Sequence, residues 1–212
     1  MKAGEQILMN KFEVERELMA VGFSHIAGTD EAGAGSLVGP VVAAAVILHK
    51  DRIDERIDDS KKLNVKLREE LFEVIKRDSL AWAVGINSVS RINEINILWA
   101  RMEAMKIAAH ALKVAPDYVL VDGNTKVPDL DIPQKTIIKG DAKSYSIAAA
   151  SIIAKVTRDR MMIELGEYYP DYNLASNKGY WNLKMKAQIE KDGYIKGFHR
   201  RAFVKNILGE VK

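Results

Sequence analysis

Four acidic residues occupy positions where a predicted strand ends or a predicted helix begins: Asp30, Glu31, Asp122 and Asp141. In open α/β sheets, ligands bind where the strands end and in the loops that leave them. Four converging carboxylates would repel one another strongly unless cations shared the site. Oxygen ligands without His or Cys favour Mg²⁺ or Mn²⁺. Two such ions about 4 Å apart can activate a water and stabilise the departing oxygen of a phosphodiester.

Each carboxylate also has a structural interpretation. Asp30 and Glu31 fit the start of a turn, and adjacent strand residues point to opposite faces of a sheet unless glycines bend the chain. Asp122 before Gly123 is a common turn pair, and Asp141 is a common helix cap. Taken singly, each residue is more typical of structure than of catalysis. Only their joint arrangement favours a catalytic site.

Gly33, Gly35 and Gly39 form a glycine-rich segment directly after the first acidic pair. The spacing resembles a dinucleotide-binding turn, but the third glycine comes one position late. A β-rich run with Pro40 then occupies the place where a helix is required, so we exclude dinucleotide binding. A loop of this kind can still bring backbone N–H and C=O groups close to a sugar, because glycine has no side chain.

Hydrophobic periodicity predicts the elements that position these residues. The predicted strands cover residues 25–29, 41–48, 81–86, 118–121 and 134–138, and the predicted helices cover 5–21, 65–77, 95–112 and 143–165. The first two strands are close enough in sequence to pair as a hairpin. The order of the elements indicates an α/β fold with a mixed five-stranded sheet flanked by helices. The tail from residue 181 onward is predicted to be mostly helical.

The chain has 212 residues, of which 48% are hydrophobic and 29% are charged. This composition is typical of a globular protein and excludes extensive disorder. The absence of cysteine excludes a disulfide framework, a thiolate nucleophile and a zinc–thiolate site. The longest apolar run, 37–48, contains Pro40 and is too short to span a bilayer, and the N-terminus lacks a signal peptide's apolar stretch. We therefore expect a cytoplasmic protein without membrane contact.

Charge is unevenly distributed along the chain. Residues 135–212 carry 15 Lys and Arg against 8 Asp and Glu, whereas residues 1–134 carry 17 against 21. The basic part also contains aromatic residues such as Tyr180, Trp181 and Phe198. Cations interleaved with flat rings suit a polyphosphate backbone beside a sugar or base. A solvated surface around core aromatics explains the pattern equally well, so charge points toward nucleic acid without deciding the function.

Six segments of the sequence, taken together, resemble one known family. They read GTDEAGAGSLVGPVVAAAV from residue 28, DSKKL from 59, VDG from 121, KGDAKSYSIAAASIIAKVTRD from 139, NKGY from 177 and FHRRAF from 198. On these motifs the chain resembles the type 2 ribonucleases H, specifically prokaryotic ribonuclease HII, over residues 25–204. The related type 3 enzymes carry a larger N-terminal domain than the short extension found here.

The resemblance implies a ribonuclease H-like fold in residues 1–165 and a mostly helical, substrate-binding C-terminal extension in residues 166–212. It implies an endonuclease that cleaves the RNA strand of RNA–DNA hybrids. The enzyme would also incise duplex DNA 5′ to a single embedded ribonucleotide, leaving 3′-hydroxyl and 5′-phosphate ends, and we expect it to be a monomer. By family position, two Mg²⁺ or Mn²⁺ ions would be held by the catalytic carboxylates Asp30, Glu31, Asp122 and Asp141.

The same resemblance implies the substrate contacts. The backbone of Gly33, Ala34 and Gly35 would hydrogen-bond the ribose 2′-hydroxyl, which distinguishes RNA from DNA. Tyr180 would stack on the sugar of the following deoxynucleotide. The candidate phosphate contacts are Lys61, Lys62, Lys143, Ser144, Arg200 and Arg201. Ala34 replaces the arginine of the family's usual Gly-Arg-Gly, so we expect a weaker hold on phosphate and weaker activity.

Two other functions stay open at this point. A structure-selective DNA nuclease of the same broad fold, such as a junction resolvase, would use similar carboxylates without a 2′-hydroxyl sensor. A hybrid-binding protein with little catalysis would share the basic surface, although four intact carboxylates argue against it. Comparing an all-DNA duplex with one that contains a single ribonucleotide separates the first alternative. A cleavage assay with Mg²⁺ or Mn²⁺ separates the second.

Overall fold

The computed structural model describes residues 11–208 of the chain. Its sheet has five strands, and each agrees with a predicted strand to within three residues at either end. They are β1 (Ile26–Ala32), β2 (Val41–Ile47), β3 (Ala81–Asn87), β4 (Tyr118–Asp122) and β5 (Gln134–Ile137). The predicted mixed five-stranded sheet is confirmed.

The strands are arranged in the order β3-β2-β1-β4-β5. β1, β2 and β3 pair antiparallel, and Asp30 of β1 lies opposite Ala44 of β2. β4 runs parallel to β1, and β5 runs parallel to β4. The early hairpin and the later helical crossovers therefore make β1 the central strand. Its carboxyl end lies beside the carboxyl end of β4.

Helices cover both faces of this sheet. Within residues 11–208 they are α1 (Glu13–Ala20), α2 (Val65–Asp78), α3 (Val89–His110), α4 (Tyr145–Tyr168), α5 (Leu174–Asn177), α6 (Leu183–Asp192) and α7 (Arg201–Leu208), with 3₁₀ turns at Gly140–Ala142 and Pro170–Tyr172. The first part of the helix predicted over 5–21 falls on residues 1–10, outside the described part of the chain. No helix within the described residues is long and apolar enough to cross a membrane.

Small side chains allow the two longest helices to pack closely on the sheet. Ala104 and Ala108 of α3 belong to the apolar core on one face, together with Ala43 of β2. Ala149 of α4 belongs to the core on the opposite face, together with Ala44. Every residue of β2, which reads VVAAAVI, is buried. This is the pattern of a strand whose alternate side chains are each covered by a helix.

A third apolar cluster joins the C-terminal elements to the rest of the protein. Leu37 and Val38, which precede β2, pack with Met162 of α4 and with Met185 and Ile189 of α6. α4 itself continues to residue 168. The division that we expect at residue 165 therefore falls within a helix.

α3 begins at Val89, six residues before its predicted start, and it is interrupted at Asn96. Asn96 has φ 64° and ψ 170°, which is not a helical conformation. Its side-chain oxygen accepts hydrogen bonds from the N–H groups of Leu98 and Trp99, so it caps the second half of the helix. The periodicity missed the first half because it holds few buried apolar residues, too few to show a period.

β1 and α4 approach each other most closely at Gly28. A Cβ atom at this position would lie 2.1 Å from the carbonyl carbon of Ser146 and 2.2 Å from the nitrogen of Ile147. Because both are backbone atoms, neither can rotate away. We expect Gly28→Ala to lower the free energy of unfolding by about 3 kcal/mol, measured by urea denaturation.

Gly35→Ala is the matched control for this substitution, since its Cβ would meet no atom within 4 Å. We expect it to change the free energy of unfolding by about 0.5 kcal/mol or less. A Gly28→Ala variant as stable as the parent would mean that β1 and α4 are not in close backbone contact at this glycine.

Candidate active site

Asp30 and Asp122 lie side by side at the carboxyl ends of β1 and β4. The strands are parallel, with Thr29 opposite Val121, so the next residue of each strand is also a neighbour. Alternation along both strands turns the two carboxylates toward the face that α4 covers. Asp30 has 5% of its surface exposed, and its Oδ1 accepts the N–H of Glu31 at 2.7 Å. The sheet thus brings together two of the predicted catalytic residues.

Glu31 points to the opposite face of the sheet, toward α3, as alternation requires for the residue after Asp30. Arg101 of α3 donates to Glu31 Oε1 at 3.0 Å. The other carboxylate oxygen, Oε2, is buried and has no hydrogen-bond partner within the described residues. Burial raises the pKa of Glu31, and the Arg101 guanidinium opposes that increase. Glu31 is therefore an incompletely satisfied carboxylate at the edge of the site.

The 3₁₀ turn Gly140–Ala142 carries Asp141 and also contacts Asp122. The N–H of Gly140 donates to Asp122 Oδ1 at 2.7 Å. Oδ2 of Asp141 lies 4.0 Å from Nζ of Lys61. One short turn therefore positions two of the four predicted carboxylates.

Ser144, not Asp141, caps α4. The Ser144 oxygen accepts the N–H of Ile147 at 3.2 Å, and its hydroxyl donates to Glu15. The interpretation of Asp141 as a helix cap is therefore wrong. Ser144 is fully buried, so the prediction that it contacts phosphate is also wrong.

Burial, with repulsion added to it, raises the pKa values of the acidic side chains Asp30 and Asp141. Burial raises the pKa of Asp30 well above its ordinary value, and the charges of Glu31 and Asp122 raise it further. Burial also raises the pKa of Asp141, with added repulsion from Asp59 and Asp122. Raised pKa values in a cluster of acids indicate ionised groups that lack sufficient counter-charge. Asp30 and Asp141 are therefore short of counter-charge from the chain itself.

The donor set fits a hard divalent cation. It offers oxygen atoms only, which Mg²⁺ and Mn²⁺ prefer, and one of them, Glu31 Oε2, is buried without a partner. Within residues 11–208, no three acidic or histidine side chains lie close enough together to enclose an ion. Glu31, Asp122 and Asp141 are instead each turned to a partner within the chain. The residues that could hold such ions are Asp30, Glu31, Asp122 and Asp141.

The glycine-rich segment forms a loop over residues 33–40, and Arg158 of α4 supports it from behind. The guanidinium of Arg158 donates to the carbonyl groups of Val38 and Pro40, both at 3.0 Å. Gly33 has φ +92°, and a Cβ there would lie 1.9 Å from Arg158 Nε. The first glycine is therefore required both by its backbone conformation and by the buried guanidinium beneath it.

Arg200 approaches the same loop from the start of α7. Its guanidinium donates to the carbonyl of Ala34 at 2.9 Å and to that of Gly39 at 2.9 and 3.0 Å. Arg200 has 0% of its surface exposed. The prediction that it contacts phosphate is therefore wrong, because its donors are turned inward onto the backbone.

One cavity of about 420 Å³ joins two of the four carboxylates, Asp30 and Glu31, to the glycine loop. It is lined by Asp30, Glu31, residues 32–35, Ser60, Lys61, Lys155 and Tyr180. The Tyr180 ring is 36% exposed, with Lys155 Nζ 5.7 Å and the Arg158 guanidinium 5.4 Å from its centre. These cation–π contacts hold the ring at the mouth of the cavity.

Three of the predicted phosphate contacts lie outside this cavity, on the surface. Lys62 is exposed and pairs with Asp58 at 3.3 Å. Lys143 is exposed and lines a separate cavity of about 790 Å³. Arg201 is exposed at the first position of α7. Their contacts with substrate stay predictions.

Sequence reasoning missed Lys155, Arg158 and Arg101. Lys155 and Arg158 are three residues apart in the KVTRD segment, which puts them on one face of a helix. Two cations on one face of a helix, directly after the apolar run IAAASIIA, are a usable signal. No local pattern indicates Arg101, because its contact with Glu31 depends on how α3 packs against the sheet.

Solved structures share this architecture. The structure of ribonuclease H2 from Pyrococcus horikoshii OT3 has a TM-score of 0.69 and 27% identity, covering 84% of this chain and 93% of that one. A structure of RNase HII in complex with PCNA from Archaeoglobus fulgidus has a TM-score of 0.71 and 27% identity, covering 89% and 96%. The fold and the carboxylate site define a nuclease of the ribonuclease H class.

Sequence comparisons specify the family. A family model for ribonuclease HII matches residues 27–206. Ribonuclease HII of Clostridioides difficile (strain 630) is 51% identical over 92% of this chain and 75% of its own length. Ribonuclease HII of Caldicellulosiruptor saccharolyticus is 49% identical over 94% of this chain and 96% of its own. The chain belongs to the ribonuclease HII family and is thus an enzyme, a type 2 ribonuclease H, which confirms the resemblance seen in the six segments.

We expect Asp30→Asn to stabilise the protein in the absence of divalent ions. Because the pKa of Asp30 is raised, the folded state binds more protons than the unfolded state above the ordinary pKa. This carboxyl therefore destabilises the fold increasingly as the pH rises through that range. The substitution should raise the free energy of unfolding by about 1 to 2 kcal/mol at pH 7.5 and by less at pH 5. Urea denaturation in the presence of EDTA measures both values.

Glu164→Gln is the control for this experiment, since Glu164 is exposed on α4. We expect it to leave the free energy of unfolding nearly unchanged at both pH values. An Asp30→Asn variant that is less stable than the parent at pH 7.5 would contradict the raised pKa of Asp30, which burial and the charges of Glu31 and Asp122 cause.

Proposed function

We propose that this enzyme cleaves the RNA strand of RNA–DNA hybrids and incises duplex DNA 5′ to a single embedded ribonucleotide. The observation that carries the proposal is the joint lining of one cavity by acidic side chains, glycine backbone, two lysines and an aromatic ring. Hydrolysis at a ribonucleotide needs a charge-neutralising centre, a reader of the 2′-hydroxyl and a surface for the neighbouring sugar. The cavity offers a candidate for each.

Two Mg²⁺ or Mn²⁺ ions would neutralise the charge of the phosphodiester. Their proposed ligands are Asp30, Glu31, Asp122 and Asp141. When bound, such ions supply Lewis-acid activation of water and neutralise charge on the phosphodiester oxygens. The chain itself holds the oxygen donors at the ends of two strands and in one turn. Arg101 orients Glu31, and the Gly140 N–H orients Asp122. The product would carry 3′-hydroxyl and 5′-phosphate ends.

The backbone of Gly33, Ala34 and Gly35 is the proposed reader of the 2′-hydroxyl. The carbonyls of Gly33 and Ala34 accept hydrogen bonds from Ser36 and Arg200, so the loop is ordered before a substrate arrives. Gly35 is exposed, and a Cβ there would meet no atom within 4 Å, which leaves the backbone open to a close approach. A 2′-hydroxyl both donates and accepts, and DNA lacks it.

The remaining lining groups suit the sugar and phosphate next to the ribonucleotide. Tyr180 presents a partly exposed ring that can stack on a deoxyribose. Lys61 and Lys155 lie at the same cavity and can contact phosphate oxygens. Because Ala34 has no side-chain cation, these two lysines would supply the positive charge at the loop.

The surface outside the cavity would extend the contact with the duplex. We assign catalysis to residues 1–165 and duplex binding to the basic extension 166–212, with the chain acting as a monomer. Lys62, Lys143 and Arg201 are exposed, which suits electrostatic contacts to phosphates.

The proposal is tested with three duplexes of one sequence: all-DNA, DNA with a single ribonucleotide, and an RNA–DNA hybrid. With Mg²⁺ or Mn²⁺ we expect cleavage of the second and third only, with the product ends mapped at nucleotide resolution. Cleavage of the all-DNA duplex as readily as the ribonucleotide-containing one would instead support a DNA nuclease of the same fold. Binding of the hybrid without cleavage would support a hybrid-binding protein.

We expect Asp122→Asn to lower turnover by at least about 100-fold, because it removes a ligand charge while keeping the side-chain shape. Single-turnover cleavage of the ribonucleotide-containing duplex with Mg²⁺ measures this effect. Hybrid binding should be largely retained, since less negative charge repels the phosphate backbone less. Asp131→Asn, at an exposed position, is the control and should cleave like the parent. Near-parent cleavage by Asp122→Asn would remove Asp122 from the proposed site.

We expect Tyr180→Ala to slow incision at a single ribonucleotide by roughly 5- to 150-fold, because stacking on an aromatic ring contributes about 1 to 3 kcal/mol. Tyr180→Phe is the matched control, since it keeps the ring, and it should lose less. Rates at limiting substrate compare the three proteins. Equal rates for the parent and Tyr180→Ala would rule out a role for the ring at the junction.

A further inference from the structure

Glu15 of α1 is a buried carboxylate that the proposed reaction does not use. Only 1% of its surface is exposed. Its Oε1 accepts the hydroxyl of Ser144 at 2.6 Å and the N–H of Ser146 at 3.1 Å. Its Oε2 has no hydrogen-bond partner within the described residues. Burial raises the pKa of Glu15, so these contacts are made at a cost to stability.

The two serines that Glu15 contacts lie at the start of α4. Ser144 caps the helix, and its oxygen accepts the N–H of Ile147. Because the Ser144 hydroxyl donates to Glu15, its oxygen lone pairs are turned toward the helix N–H groups. A carboxylate near the first turn of a helix is also favoured by the helix dipole. Glu15 therefore fixes where α4 begins.

The turn just before α4 holds two of the proposed metal ligands. The N–H of Ser144 donates to the carbonyl of Gly140 at 2.8 Å, which closes the turn. The N–H of Gly140 in turn donates to Asp122, and Asp141 is the next residue. A displacement of Ser144 would therefore move both carboxylates.

A second contact from the same N-terminal region reaches the segment that carries Lys61. The buried Lys11 donates to the carbonyl of Ile57 at 3.1 Å and to Asp58 at 2.8 Å. Lys61 comes three residues later and lies 4.0 Å from Asp141. The residues around α1 therefore contact two segments. Lys11 contacts the segment that carries Lys61, and Glu15 contacts the segment that carries Asp141.

We infer that Glu15 is a positioning residue for the reaction: through Ser144 it holds the turn that places Asp141 and Asp122. The inference rests on the proposed function, in which those two carboxylates bind divalent ions. Groups that support metal ligands typically change metal affinity or activity by about 10- to 100-fold when they are removed. A group that served stability alone would change unfolding and leave the metal affinity of the folded protein unaltered.

The test uses two substitutions in the full chain. Glu15→Leu removes the acceptor but fills its space with apolar atoms, and Glu15→Gln keeps an acceptor oxygen. Glu17→Gln, exposed on the same helix, is the control. Mn²⁺ binding to the substrate-free protein is measured by calorimetry, and kcat and KM are measured on the ribonucleotide-containing duplex.

We expect Glu15→Leu to weaken Mn²⁺ binding about tenfold and to lower kcat about tenfold, with KM within about twofold of the parent. Glu15→Gln and Glu17→Gln should each stay within about threefold of the parent in both quantities. Parent-like Mn²⁺ affinity and kcat in Glu15→Leu would overturn the inference, whatever its stability. If Glu15→Leu does not fold, Ser144→Ala removes the hydroxyl that donates to Glu15, together with the cap that it gives α4, and is judged by the same outcomes.

Mn²⁺ binding and cleavage by the parent protein distinguish a failure of this inference from a failure of the proposed function. A parent that neither binds Mn²⁺ nor cleaves the ribonucleotide-containing duplex contradicts the proposed function, and the role of Glu15 with it. A parent that does both, beside a Glu15→Leu variant that matches it, contradicts the role of Glu15 alone.

Discussion

The burial of acidic side chains at one end of the sheet, with the repulsion that neighbouring charges add, is the constraint on which the site depends. Asp30 and Asp122 lie together because parallel strands end at the same edge, and the burial of Asp30 removes water that would screen its charge. Arg101, Lys61 and a backbone N–H each partner one carboxylate, which leaves the cluster short of positive charge. That shortage is the physical basis on which we propose divalent ions at this site.

Acids that repel one another stay together only on a stiff scaffold, and small residues supply that stiffness. Gly28 lets β1 lie against the backbone of α4, so a strand that carries Asp30 is held at van der Waals contact with a 24-residue helix. The same helix supplies Arg158, whose guanidinium bonds to the glycine loop. One helix therefore supports both the carboxylates and the loop that is proposed to recognise the ribose.

Short-range periodicity in the sequence predicted the strands, and it failed where long-range packing decides the structure. All five strands and the opposite directions of Asp30 and Glu31 result from alternation along β1 and its neighbours. The predicted roles of Ser144 and Arg200 were wrong because a polar residue in a motif carries no information about burial. The break at Asn96 and the contact of Arg101 with Glu31 depend on partners distant in sequence or on an unusual backbone conformation.

Arg200 bonds to a loop residue 166 positions earlier in the chain. A ribosome adds about 5 to 20 residues per second, so roughly 10 to 30 seconds separate the synthesis of these two partners. During that interval the sheet and α4 can assemble, and the loop can bond to Arg158 and to the backbone of Gly179, but it lacks the hydrogen bonds from Arg200. A nascent chain that stops before residue 200 would present the acidic cluster beside an unfinished loop. The loop that is proposed to distinguish RNA from DNA is therefore completed later in synthesis than the sheet and α4.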